Sequence, residues 1–67
     1  MKYKLETEYI ELCNILKIKQ LVQTGGHAKI VISEGEVMVD GEVETRKRMK
    51  VRKGMKVEFD GQLIEVV

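Results

Sequence analysis

Arg46, Lys47, Arg48, Lys50, Arg52, Lys53 and Lys56 fall within eleven consecutive residues that hold no acid, inside the stretch ETRKRMKVRKGMK. Guanidinium and ammonium groups at that density suit one chemistry above others. They neutralise phosphate oxygens, arginine through its forked N–H donors. The formal charge of the chain is only +1, from 12 basic and 11 acidic residues. Residues 34–44 hold Glu34, Glu36, Asp40, Glu42 and Glu44 with no base. A mixed surface would intersperse the signs. Sorted signs create a local positive field on a near-neutral molecule, which attracts a polyanion. Blunting a sheet edge is the plainer use of such lysines, but a run this dense, with three arginines, favours a polyanion site.

Other chemistries have little to draw on. Cys13 is the single cysteine and His27 the single histidine. An internal disulfide and the usual thiolate zinc sites are therefore out, and no nucleophile–base pair stands out. Cys13 falls in a periodic apolar pattern, where an unpaired cysteine reads as a small buried hydrophobe. Asp40 belongs to a turn signal, and Glu42 and Glu44 alternate on an exposed face. No enzyme, cofactor or metal is expected. No apolar run approaches the roughly 18 residues that a membrane span needs. MKYKLETEYIEL turns acidic too soon for a secretory signal, so the expected location is the cytoplasm.

The elements that position the cations follow from periodicity. Tyr9, Leu12, Cys13 and Leu16 sit at i, i+3, i+4 and i+7, one stripe of an amphipathic helix over residues 9–18. Thr7 reads as its N-cap, with Glu8 and Glu11 in the first turn. After the link KQLVQ, Thr24 reads as the N-cap of a second helix and Gly35 as its stop, with Ala28, Val31 and Ile32 facing the core. Gly25 and Gly26 occupy its first turn, where they leave amide groups open to an anion. Ile30 falls off the stripe, suited to packing on the sheet or to a protein contact. TGGHAK lacks the Gly-Lys-Ser/Thr ending of a nucleotide-binding loop.

From Gly35 the period becomes two. Val37 and Val39 lead to an Asp40-Gly41 hairpin turn, and Val43 continues on the return. Met49, Val51, Met55, Val57 and Phe59 keep the beat, Asp60-Gly61 is a second hairpin turn, and LIEVV closes as a strand. The whole, residues 1–67, reads as a single α+β domain: two short N-terminal helices, then a small, mostly antiparallel sheet of four to five strands. With Met49 and Val51 facing inward, Arg48, Lys50 and Arg52 point outward together, and Arg46 joins them if the strand reaches back that far.

The aromatics are Tyr3, Tyr9 and Phe59. Tyr9 and Phe59 are expected on core faces, so a base-stacking sheet is not expected. Reading of RNA backbone and shape remains, by Arg and Lys on phosphate and by helix N-terminal amides. No recognition helix offers base-reading Arg, Asn or Gln for DNA.

In order, these pieces are a helix, a Thr-Gly-Gly-His-Ala-Lys helix, a Gly-x-Val-x-Val-Asp-Gly hairpin, a basic stretch and Lys-Gly-x-x-Val. They resemble the RNA-binding domain named after small-subunit ribosomal protein four, the alpha-L RNA-binding motif. GGHAK and EGEVMVDGEVETRKR resemble its small stand-alone bacterial members, the YbcJ/YaaA-like family, over about residues 8–67. The resemblance implies binding of structured RNA, ribosomal or transfer RNA, through Thr24, Gly25, Gly26 and Lys29 on the second helix and Arg46, Lys47, Arg48 and Lys50 beyond the hairpin. Arg52 extends that basic row. Many relatives have arginine or serine where Gly25 and Gly26 stand, which implies backbone contacts at those positions here. His27 is expected to be exposed without a special role. A non-catalytic monomer is expected, in ribosome assembly or RNA metabolism, with room for a ribosomal or RNA-processing protein partner. The alternative is a protein-interaction adaptor in a ribonucleoprotein complex, in which the acidic 34–44 hairpin or Ile30 meets the partner and the basic row is incidental.

Overall fold

The computed structural model describes all 67 residues. Its elements are β1 (Lys2–Tyr3), β2 (Ile10–Glu11), α1 (Leu12–Ile18), α2 (Gly25–Ser33), β3 (Val37–Val39), β4 (Glu42–Val43), β5 (Lys50–Val51), β6 (Lys56–Phe59) and β7 (Gln62–Val66). Five strands form one sheet in the order β1-β7-β6-β3-β4, and β2 pairs with β5 in a separate two-stranded ribbon. All pairings are antiparallel except β1 with β7. This is the expected α+β architecture with two additions. Short strands precede the first helix, one closing the main sheet and the other building the ribbon.

Alternation sets the core. Val39 lies opposite Val57, and Val57 opposite Ile64, so one row across β3, β6 and β7 is buried. Leu12, Ile15 and Leu16 of α1 and Ala28 and Ile32 of α2 close over the core, all fully buried. No polar or charged residue is buried. The charge pattern therefore belongs to the surface alone. At the first hairpin Asp40 (φ 52°) and Gly41 (φ 84°) both adopt left-handed backbone, as a two-residue type I′ turn requires. The Asp40 carboxylate also accepts the Lys56 amide at 2.9 Å, tying the turn to the start of β6.

The second helix forms as its ends dictate. The Thr24 hydroxyl accepts the His27 amide at 3.1 Å. Beyond the helix, Gly35 N–H donates to Ile32 and Glu36 N–H to Val31, the paired bonds of a Schellman ending with Gly35 at φ 78°. The first helix ends the same way. Gln20 N–H donates to Lys17 and Leu21 N–H to Leu16, but the left-handed position is held by Gln20 at φ 60°.

The start of α1 departs from the expectation. Thr7 is no cap: its hydroxyl donates to the Tyr9 carbonyl at 2.8 Å, the chain bends at Thr7 and Glu8, and Ile10–Glu11 is extended before the helix. Pairing of Ile10 with Val51 and Glu11 with Lys50 holds residues 10–11 in a strand and delays the helix to Leu12. Tyr9, expected in the core, is exposed. Ile10 and Val51 turn inward there, so their alternating neighbours turn out.

Candidate nucleic-acid interface

The densest cations are carried by a turn rather than a strand. Only Lys50–Val51 is extended; before it, Met49 N–H donates to the Arg46 carbonyl at 3.1 Å and closes a tight turn over Arg46, Lys47, Arg48 and Met49. That turn is fastened to α1. The Leu12 amide donates to the Met49 carbonyl at 3.0 Å, and the Cys13 amide to the Lys47 carbonyl at 3.1 Å. Helix N-termini leave such amides without partners, and α1 has no side-chain cap. The main chain of the basic turn takes that place. Arg46, Arg48 and Lys50 converge with Met49 on one surface hollow of about 450 Å³. Lys47 is exposed on the same turn and does not line it.

Two arginines have acidic partners. Glu44 receives Arg46 Nε at 2.9 Å, Arg46 Nη2 at 3.0 Å and the Arg46 amide at 3.0 Å. The side-chain hydrogen bond from Arg46, followed by that from its amide, lowers the Glu44 carboxyl from 4.5 to about 2. The same partnership raises Arg46 above its ordinary value. The Arg46 side chain is still 75% exposed. A guanidinium has five N–H donors, so this fork leaves its remaining donors facing outward. Glu44 aims Arg46 and offsets part of its charge. Arg52 meets Glu8 at 3.3 Å, an exposed pair.

Tyr9 stands beside this row. Lys50 Nζ lies 5.0 Å from the ring centre and Arg52 Cζ 5.7 Å. The register that pairs Ile10 with Val51 places Tyr9 across from Arg52 on the outward face of the ribbon. Helical periodicity concealed this. Tyr9 fits the i, i+3, i+4 stripe, but the helix starts three residues after it. Phe59, in contrast, packs against the core as expected.

The start of α2 forms a second group. Thr24, Gly26 and Lys29 are exposed and Gly25 is half-buried. The Gly25 and Gly26 amides make no backbone hydrogen bond, since the first helical bond runs from Ala28 to Thr24. A Cβ on Gly25 would meet nothing within 4 Å, and one on Gly26 only Thr24 Oγ1 at 3.8 Å. Packing thus sets no demand for glycine here. His27 is exposed, and Ile30 is 56% exposed rather than packed on the sheet. No hydrogen bond or ion pair joins this group to the basic hollow; α1 is the element between them. No three His, Cys, Asp or Glu side chains gather into a metal site.

A helix pair lies over a small sheet, with a basic loop clipped to the first helix. The chain belongs to the S4 domain family, whose model matches residues 3–67. It is 49% identical over 59 residues to the "Putative RNA-binding protein YbcJ" of Escherichia coli (strain K12), covering 88% of this chain and 84% of that protein. It is 40% identical over 57 residues to the "Probable ribosome maturation protein RlbA" of Bacillus subtilis (strain 168), covering 85% and 80%. A solution structure of YbcJ from E. coli, described as revealing an alfaL motif involved in RNA binding, superposes with a TM-score of 0.75. That match has 45% identity and covers 98% of this chain and 85% of that one. The alpha-L fold expected from the motif order is thus the fold of this chain.

Proposed function

We propose that this protein is a non-catalytic module that binds structured RNA of the ribosomal or transfer class. Its contacts are the cations of residues 46–52, oriented by the amides at the start of α2. The observation that carries the reading is the convergence of Arg46, Arg48 and Lys50 on one hollow, on a turn held by the backbone of α1. Phosphates bound there displace condensed counterions. Gly25 and Gly26 leave bare amides at a helix start, a second place for phosphate oxygen. The relatives' names support the RNA reading, and that of RlbA supports a place in ribosome assembly.

Titration with a folded ribosomal RNA fragment at several salt concentrations tests this. With about four phosphates engaged, affinity falls with a log–log salt slope near −3, about 60-fold between 50 and 200 mM. An affinity indifferent to salt, or no binding, refutes it.

The exposure of Ile30, at 56%, favours a second reading in which α2 also meets a protein partner. A directly bound partner stays with the protein after nuclease treatment; an RNA-tethered one is lost.

A further inference from the structure

We infer that the Tyr9 ring is a stacking position for a single unpaired nucleobase, so that the RNA recognised carries a base extruded from its helix. This rests on the RNA-binding reading and specifies the kind of RNA. Tyr9 is an exposed aromatic on the charged face, with Lys50 and Arg52 both within 6 Å of its centre. It lines a second hollow of about 430 Å³ with Thr7, Glu8, Ile10, Glu11 and Asn14. Lys50 lines the basic hollow, so the Lys50–Tyr9 contact bridges the two.

Their chemistry divides a nucleotide between them. Glu8 and Glu11 repel phosphate from the Tyr9 hollow, while Arg46, Arg48 and Lys50 attract it to the other. The π-face of a base stacks on tyrosine whatever the base. A base lying on the ring displaces a cation from it, and that charge becomes available to the adjoining phosphate. The Glu11 carboxylate has no ion-pair partner and accepts from an amino group on the base edge, which favours adenine over uracil. A fully paired stem hides its base faces and has nothing to place there.

The probes are a short hairpin RNA with one bulged adenosine and the same hairpin with the bulge deleted. Tyr9→Ala is expected to weaken binding of the bulged hairpin by about 10- to 100-fold, to change the fully paired one by less than about threefold, and so to erase the difference between them. Tyr9→Phe, which keeps the ring, retains the preference. The chain has no tryptophan, so Tyr9→Trp adds its one indole, whose red-shifted emission is separable from that of Tyr3 and is quenched by the bulged hairpin alone. Equal losses for both hairpins, or no loss, overturn the stacking site and leave Tyr9 a prop for Lys50. Failure of the unsubstituted protein to bind either hairpin overturns the RNA reading itself, which separates the two failures.

Discussion

The Lys47 carbonyl accepts the amide of Cys13 at 3.1 Å, so the most basic turn of the chain serves as the N-terminal cap of its first helix. Both partners are main-chain groups. The Lys47 side chain stays free while its backbone is held; Met49, whose carbonyl accepts the Leu12 amide, packs its own side chain against the core. A set of repelling cations is thereby kept in one conformation before any RNA arrives. Part of the ordering cost of binding is met in advance.

Amide hydrogen exchange checks this docking. The Leu12 and Cys13 amides, at a helix start where exchange is ordinarily fast, are expected to be protected by about 100-fold or more. The Gly25 and Gly26 amides, at the equivalent place in α2, should exchange at nearly free rates. Equal rates at the two helix starts would contradict the docked turn.

Charge reversal at the hollow should separate binding from folding. Arg46→Glu together with Arg48→Glu is expected to abolish RNA binding at moderate salt while thermal unfolding shifts by no more than a few degrees, since exposed charges contribute little stability. Gel-shift titration beside circular dichroism reads both. Retained binding would move the interface elsewhere.

The Glu44–Arg46 clasp makes a pH prediction. Its carboxyl is lowered from 4.5 to about 2 in the folded protein, so the unfolded chain takes up that proton first as pH falls. The stabilisation is complete above the ordinary carboxyl value, erodes below it, and is gone once pH passes below the folded value. Carboxyl-carbon NMR should place the Glu44 midpoint near 2 and return it to about 4.5 in Arg46→Met. Glu44→Gln, which removes the offsetting charge but keeps an acceptor for the Arg46 amide, should tighten RNA binding about two- to fivefold.

Two residues sit in conformations that suit another residue better. Gln20 holds left-handed backbone at φ 60°, so Gln20→Gly should raise stability by about 1 kcal/mol. Gly26 is helical with open space at its Cβ position, so Gly26→Ala should add about 0.5–1 kcal/mol. Under the proposed function the second change also weakens RNA binding, because the added methyl crowds the bare amides. Chemical denaturation measures both stabilities. A loss on Gly26→Ala would show that packing, not ligand access, requires the glycine.

Removing the α2 cap should have the opposite sign. The Thr24 hydroxyl is the sole side-chain partner of the His27 amide, and Thr24→Ala should cost about 1 kcal/mol in the same assay.

Local chemistry made much of this molecule legible from its residues. Thr24 and Gly35 bound α2 because capping acts over three or four positions, and Asp40-Gly41 bends the first hairpin because those residues tolerate left-handed backbone. The strands after Gly35 follow a period of two set by Val37, Val39, Val57 and Ile64. Long-range pairing decided the rest. Lys2 finds Glu65 in parallel, and Ile10 finds Val51, through strands two to five residues long that carry no pattern of their own. The second of these pairings turns Tyr9 outward against a helical stripe that points it inward, and places it beside Lys50 and Arg52. The Lys47 carbonyl meets the Cys13 amide through groups that almost every residue possesses, so no residue type announces it. Side-chain chemistry set which cations and turns are present; only backbone partners distant in the chain decided which way they face.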